Sequence, residues 1–424
     1  MKKNYLLMAA AAMVLASCSS ESDAPDGGEV VNNDQIALST LTPASQAGRI
    51  SDVNGTRDGE KKERLQLKYK VAPVADAKSF GWSATGIALD GGNVYVSWHS
   101  DFQAANPATK WGGALDVIAF NGESAPAFSN TYVNYDAKFN GVLVGNSAFY
   151  LALTDSKKGA AVARVKAGET DGVIRAVSGS SANALSMVNG RVCAATGYKN
   201  GGVFSIDANF VSAADGKAHV DTLVLKDGCK FIDGDLVLRT DATAAYLCSL
   251  DGTQEWNIGA PLKSEEKNGE KYDPVTGTWS TDNETSAAYY GKHTMASDDK
   301  YIYVAGGQAA AGSKDGLRVI DKATKKQVWG NATNTTAVCV AGDYVYAATG
   351  AGLRVYKKFD GTNLELFAYE TITDANGKVV AGTDAHSCNF VAVDGNYIYM
   401  ANGQSGVYVF TLDTTAPAPE TPAE

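Results

Sequence analysis

The sequence predicts an all-β fold, a seven-bladed β-propeller of four-stranded antiparallel blades, and three observations carry that prediction. The first is a hairpin near the C-terminus, "VAVDGNYIYMANGQSGVYVFTL" (391–412), whose runs 397–400 and 407–410 alternate around a turn holding Gly403 and Gly406. Alternation with period two marks a strand with two unlike faces. The second is that this hairpin recurs along the chain. The third is composition: 44 Gly and 20 Tyr against 10 Pro in 424 residues favour turns and strands over long helices.

In chain order the copies are 86–120, 141–167, 185–207, 231–256, 295–329, 338–358 and 391–412, which makes seven. Each reads as a short apolar strand, a tight turn with Asp, Asn or Gly, an aromatic or β-branched strand, a second turn and a further strand. Asp90, Asp235, Asp343 and Asp394 occupy the repeated hairpin corners, where turn chemistry explains them. A fourth run is clearest in "LELFAYET" (364–371). Four strands every ~40 to 50 residues is the signature of a blade, which cannot bury its faces alone and therefore stacks radially. The last copy supplies three strands, while "RLQLKYKVA" (64–72) alternates and has no hairpin of its own. The segment 65–71 is therefore expected to become the outer strand of the last blade and close the ring. The chain then divides into a signal peptide (1–17), a flexible acidic tether (18–63), the propeller (64–413, with an insertion at 259–292) and a disordered Pro-rich tail (414–424).

The hairpins "GLRVIDKATKK" (316–326), "GLRVYKK" (352–358) and "GVYVFTL" (406–412) resemble the LVIVD-type and YncE-like repeats of bacterial surface and periplasmic propellers. That resemblance implies a seven-bladed propeller lipoprotein, mostly a binding or scaffold protein, and transfers no catalytic residue. "VIDKATKKQVW" (319–329) and "SLDGTQEW" (249–256) resemble the docking segments of pyrroloquinoline-quinone-like propellers, in which Trp packs between blades. Lys325 stands where that family has Gly, so Trp256 and Trp329 are read as packing residues and no cofactor is expected.

The N-terminus places Lys2 and Lys3 before an apolar stretch, 6–16, too short to span a membrane as a mature helix. "LASC" (15–18) resembles the bacterial lipobox, which implies cleavage before Cys18, its acylation and anchoring in outer-membrane lipid. The following "SSESDAPDGGE" resembles the surface-export signals of lipoproteins from Bacteroides-like bacteria and implies cell-surface display. A net charge of −10 argues against nucleic acid as a partner, because neutralising phosphates needs a basic face. Five further cysteines, Cys193, Cys229, Cys248, Cys339 and Cys388, lack CxxC spacing and read as small buried apolar residues without a disulfide framework.

In a four-stranded blade the loop entering the inner strand and the loop between strands two and three emerge on one face, here termed the upper face. Register places Trp82, His386 and His293 before inner strands. It puts Trp98, His99, Trp111, Asp155, Tyr198, Lys199, Gln308, Asn402 and Gln404 on the second-to-third loops. Trp82, Trp98 and Trp111, with Tyr272, Trp279, Tyr289 and Tyr290 of the insertion, form either a stacking platform for sugar rings or packing for the insertion. His99, His293 and His386 are either convergent ligands for a metal or carboxylate, or loop residues held by hydrogen bonds. No nucleophile elbow or HExxH is present. The leading expectation is a monomeric binding module for a glycan, small ligand or partner protein. The alternatives are an extracytoplasmic carbohydrate-active enzyme and a scaffold of an outer-membrane complex.

Overall fold

Alternation of Val, Ile, Tyr and Phe with small or polar residues gives each strand two faces that need two apolar neighbours. Seven antiparallel sheets arise from this pattern, each with at least four strands in order from inner to outer edge. In this computed structural model the described residues are 35–53, 64–76, 81–101, 111–120, 122, 124–197, 200–210, 220–262, 271–273, 278–280, 292–307, 309–372 and 388–416. The inner strands Gly81–Asp90, Ala137–Gly145, Ala182–Val188, Cys229–Asp233, Met295–Ser297, Thr335–Ala341 and Cys388–Asp394 define blades I to VII. They pack side by side around a central channel, as a ring of blades requires.

The apolar core is divided into layers, one between each pair of neighbouring blades. The two-residue period decides the layer. Val94, Val96 and Trp98 of one strand enter the layer between blades VII and I, while Tyr95 enters that between I and II. Each large side chain buried in this way stabilises the ring by roughly 2–3 kcal/mol. Trp256 and Trp329 pack against the IV–V and V–VI layers, as the docking resemblance implies. Lys325 adopts φ +57, the left-handed conformation for which Gly is suited, and its ammonium lies 5.2 Å from the Trp256 ring. Cys193, Cys229, Cys248 and Cys388 are buried and Cys339 is half-buried, and none of these five is in a disulfide. Burial pushes the Cys229 and Cys248 thiols up to about 12, so they behave as small apolar groups.

Ring closure follows the expectation from the N-terminal strand. Leu65–Val71 pairs antiparallel with Val407–Leu412 as the fourth strand of blade VII, from Leu65 opposite Leu412 to Val71 opposite Val407. Two expectations about the flanks are corrected. The tether assigned to 18–63 is structured over 35–53, which runs around the rim of three consecutive blades. Gln35–Ala37 pairs with the outer strand of blade II, Ser39–Leu41 with that of blade I, and Ile50–Asp52 with Leu65–Val71 of blade VII. Ile36 and Leu38 are buried in the I–II layer, which explains why this segment holds to the rim. The tail assigned to 414–424 also begins docked, since Arg64 donates from Nε to the Ala416 carbonyl (2.9 Å) and its guanidinium stacks on Phe367 at 4.1 Å.

The belt formed by 35–53 is pinned by one buried ion pair. Arg49 meets Asp116 through two bonds, Nη2 to Oδ2 at 2.6 Å and Nη1 to Oδ1 at 3.0 Å. Asp116 accepts two more, from Trp98 Nε1 (2.8 Å) and Thr131 Oγ1 (2.7 Å). Arg49 also donates to the Ala72 carbonyl and Gln46 Oε1, and its guanidinium stacks over Phe128 at 4.6 Å. Such a network is stable only because every member is satisfied.

Candidate functional site at the upper face

At the upper end of the inner strands the antiparallel register slips by one residue. The extra residue is Thr85, Asn140, Asn183, Lys230, Thr336 or Asn389 in blades I, II, III, IV, VI and VII. In blade V the residue just before the inner strand is Thr294. A bulge re-aims its side chain out of the sheet, and here the polar side chains reach the next blade. Thr85 Oγ1 donates to the Phe139 carbonyl (2.8 Å), Asn140 Nδ2 to that of Ala182 (3.1 Å) and Thr294 Oγ1 to that of Val338 (3.2 Å). Thr336 Oγ1 donates to the Cys388 carbonyl, and Asn389 Nδ2 to that of Ala84 (2.7 Å). These bonds link blades V, VI, VII, I, II and III around the channel. At blade III, Asn183 Nδ2 is buried without a hydrogen-bond partner, and the blade IV bulge carries Lys230 instead of Thr or Asn.

The channel mouth is crossed by a cation. Lys292, just before the inner strand of blade V, donates from Nζ to the carbonyls of Thr85 (3.1 Å) and Asn140 (2.6 Å) on the far side of the ring. The next residue, His293, is buried and has its Nδ1 3.1 Å from the Ala305 carbonyl. Burial, with the charge of Lys230 behind it, pushes the His293 pKa down to about 3, so the imidazole is neutral. A carbonyl only accepts, so Nδ1 carries the hydrogen and Nε2 presents a lone pair, which is buried and without a partner. Further out, the fully buried Arg318 donates from Nη1 to the Ile258 carbonyl of blade IV (3.2 Å) and from Nε to the Asp315 carbonyl (3.1 Å). Its Nη2 is buried and makes no hydrogen bond, with Asp315 Oδ1 3.8 Å away.

Several residues placed on loops by register lie elsewhere, because the inner strands of blade I are 10 and 9 residues long and absorb them. Trp82, Trp98 and His99 are strand residues, all at most 2% exposed, so Trp82 and Trp98 build the VII–I layer and offer no stacking surface. The Trp82 ring occupies room left by Gly112, where a Cβ would stand 3.0 Å from the indole. His99 approaches Asn140 Oδ1 at 3.4 Å between blades I and II, across the ring from His293, so these two histidines do not converge on one ligand. Asp155 caps its own turn by accepting the amides of Lys157 and Lys158 (2.9 Å each). Asn402 is buried behind Cys388, and Gln404 lies beside Gly81 in a turn whose Gly403 pairs with Ala84 of blade I. Trp111 begins the third strand of blade I by its backbone; its side chain, with Tyr198, Lys199, Gln308 and His386, lies outside the described residues. Cys18, Tyr289 and Tyr290 and the side chains of Tyr272 and Trp279 lie outside them as well.

Lys230 and Arg318 did not stand out in the sequence. Lys230 becomes visible only when the bulge positions of the repeats are aligned. On the lower face a groove of about 430 Å³ opens between blades III and IV, but its Arg191 is paired with Asp221 at 2.6 Å.

No protein-family model matches the chain, and no curated protein matches it. Among solved structures, the WD40 β-propeller domain of Doa1 matches with TM-score 0.49 at 12% identity, over 84% of this chain and 99% of that one. A catalytically inactive virginiamycin B lyase from Staphylococcus aureus, crystallised with quinupristin, matches with TM-score 0.49 at 13% identity, over 82% and 99%. The extracellular domain of BT4673 from B. thetaiotaomicron matches with TM-score 0.45 at 10% identity, over 81% and 40%.

Proposed function

We propose that the chain is a surface-anchored propeller that binds a glycan, small ligand or partner protein through its upper face, without catalysing a reaction. The observation that carries this reading is the set of buried polar atoms at the upper face that have no hydrogen-bond partner. Ser83 Oγ and Ser100 Oγ of blade I, Ser180 Oγ and Asn183 Nδ2 of blade III, and His293 Nε2 and Arg318 Nη2 of blade V stand buried and unsatisfied. Leaving a buried polar group unpaired costs about 1–3 kcal/mol, a cost a ligand can offset. Acylation of Cys18 holds the propeller in outer-membrane lipid, and a Cys18→Ser chain is expected to leave the membrane fraction for the soluble one. Retention of that variant in the membrane contradicts the anchor.

The recognition face is tested by paired surface substitutions read on a glycan array. Ala242→Trp and Gln404→Trp obstruct the upper face, and Asp343→Trp and Asn396→Trp obstruct the lower. Binding is expected to fall at least ~10-fold with the upper pair, a loss of about 1.4 kcal/mol, and to be unchanged with the lower pair. Loss confined to the lower pair, or turnover of an arrayed polysaccharide, contradicts the reading.

A further inference from the structure

Between blades IV and V the upper face buries cations in a molecule whose net charge is −10. Among the described residues the buried bases of these two blades are Lys230, Arg239 and Arg318, and the only buried carboxylate anywhere is Asp116, which is bound by Arg49. Arg239 is engaged by Glu255 and Asp241, each at 3.2 Å. Arg318 has Asp315 Oδ1 3.8 Å from its Nη2 but makes no hydrogen bond there, while its Nη1 reaches across to the Ile258 carbonyl of blade IV; the charges of both Lys230 and Arg318 are felt at His293. The site therefore offers two opposite kinds of atom. Arg318 Nη2 needs an acceptor, best an anionic oxygen. His293 Nε2, with its other nitrogen committed to a carbonyl, needs a donor.

One small molecule can meet both demands if it carries an anionic oxygen for Arg318 and a donor such as a hydroxyl for His293. Acetate supplies the first and lacks the second; a neutral sugar has the second and lacks the first. We propose that the upper end of the IV–V interface, lined by Lys230, His293 and Arg318, binds a hydroxyl-bearing carboxylate, the chemistry shared by simple hydroxy acids and acidic sugars. The carboxylate takes Arg318 Nη2 with Lys230 beside it, and the hydroxyl donates to His293 Nε2. This inference rests on the upper face being the recognition face and narrows what that face accepts.

Titration calorimetry of the full-length chain carrying Cys18→Ser tests it with four probes: glucuronate, glycolate, glucose and acetate. Glucuronate is expected to bind, with glucose and acetate at least ~10-fold weaker, because each forfeits one charge-assisted or lone-pair bond. Glycolate binding comparable to glucuronate assigns the site to hydroxy acids in general; glycolate binding as weak as acetate assigns it to the acidic sugar ring. Arg318→Met and His293→Phe are each expected to weaken glucuronate roughly 10- to 100-fold. Because Arg318 is buried, histidine ring-nitrogen NMR on the unaltered chain gives a readout free of folding effects: glucuronate is expected to shift the His293 Nε2 signal. Equal affinity for glucose or acetate and glucuronate, no glucuronate binding, or an unshifted His293 signal overturns the inference. If upper-face array binding survives while glucuronate fails, only the ligand class is wrong and the recognition face stands.

Discussion

Deleting residues 64–72 abolishes cooperative folding, where removing a nine-residue segment from an ordinary surface strand would only lower stability. The segment supplies the fourth strand of blade VII and joins the two ends of the chain in one sheet. Leu65 is buried in the VI–VII layer and Val71 in the VII–I layer, each worth about 2 kcal/mol. The ladder with Val407–Leu412 adds about 1 kcal/mol per hydrogen bond lost. Ile50–Asp52 loses its template as well, leaving the belt with its pairings to blades I and II and the Arg49–Asp116 ion pair. These losses together approach the 5–15 kcal/mol that a domain has in total. Thermal melting followed by circular dichroism checks this, and a sharp native-like transition in the deletion variant would contradict ring closure by this strand.

Replacing Arg49 by Met destabilises the propeller by about 3–5 kcal/mol, because Asp116 is then a buried carboxylate without its cation. The remaining donors from Trp98 and Thr131 do not neutralise it. Replacing both partners, Arg49→Met with Asp116→Leu, costs less than the sum of the single changes, since no charge is then stranded. Urea denaturation of the two single variants and the double variant measures the coupling. Additive losses, or a single-variant loss below about 1 kcal/mol, would mean that the belt is held by its short strands and apolar contacts alone.

The blades were legible because their signal is long and redundant: a two-residue period, repeated hairpin corners at Asp343 and Asp394, and a solitary strand at 65–71 that the last copy lacked. The belt was not, because its strands are three residues each, too short for any period to show. Its acidic, Gly-rich neighbours read as linker, and its contact with the ring rests on scattered residues, with Ile36, Leu38, Gln46 and Arg49 buried. For the candidate site, the sequence placed His293 just before the blade V inner strand, where the structure has it, but misjudged the aromatics of blade I. Trp82 and Trp98 looked like loop residues because blade I strands run longer than the repeat implies, and a strand tryptophan facing a neighbouring blade is core. Lys230 and Arg318 sit inside ordinary strand patterns. Their meaning comes from the bulge that turns Lys230 sideways and from the blade IV carbonyl that Arg318 reaches, both products of three-dimensional packing.

The most direct measurement is a crystal structure of the Cys18→Ser chain grown with glucuronate. Ligand density is expected at the upper end of the IV–V interface, with the carboxylate on Arg318 Nη2 and a hydroxyl on His293 Nε2. Glucuronate bound only elsewhere, or an interface in which Arg318 and His293 keep the same unfilled bonds at saturating ligand, would contradict it.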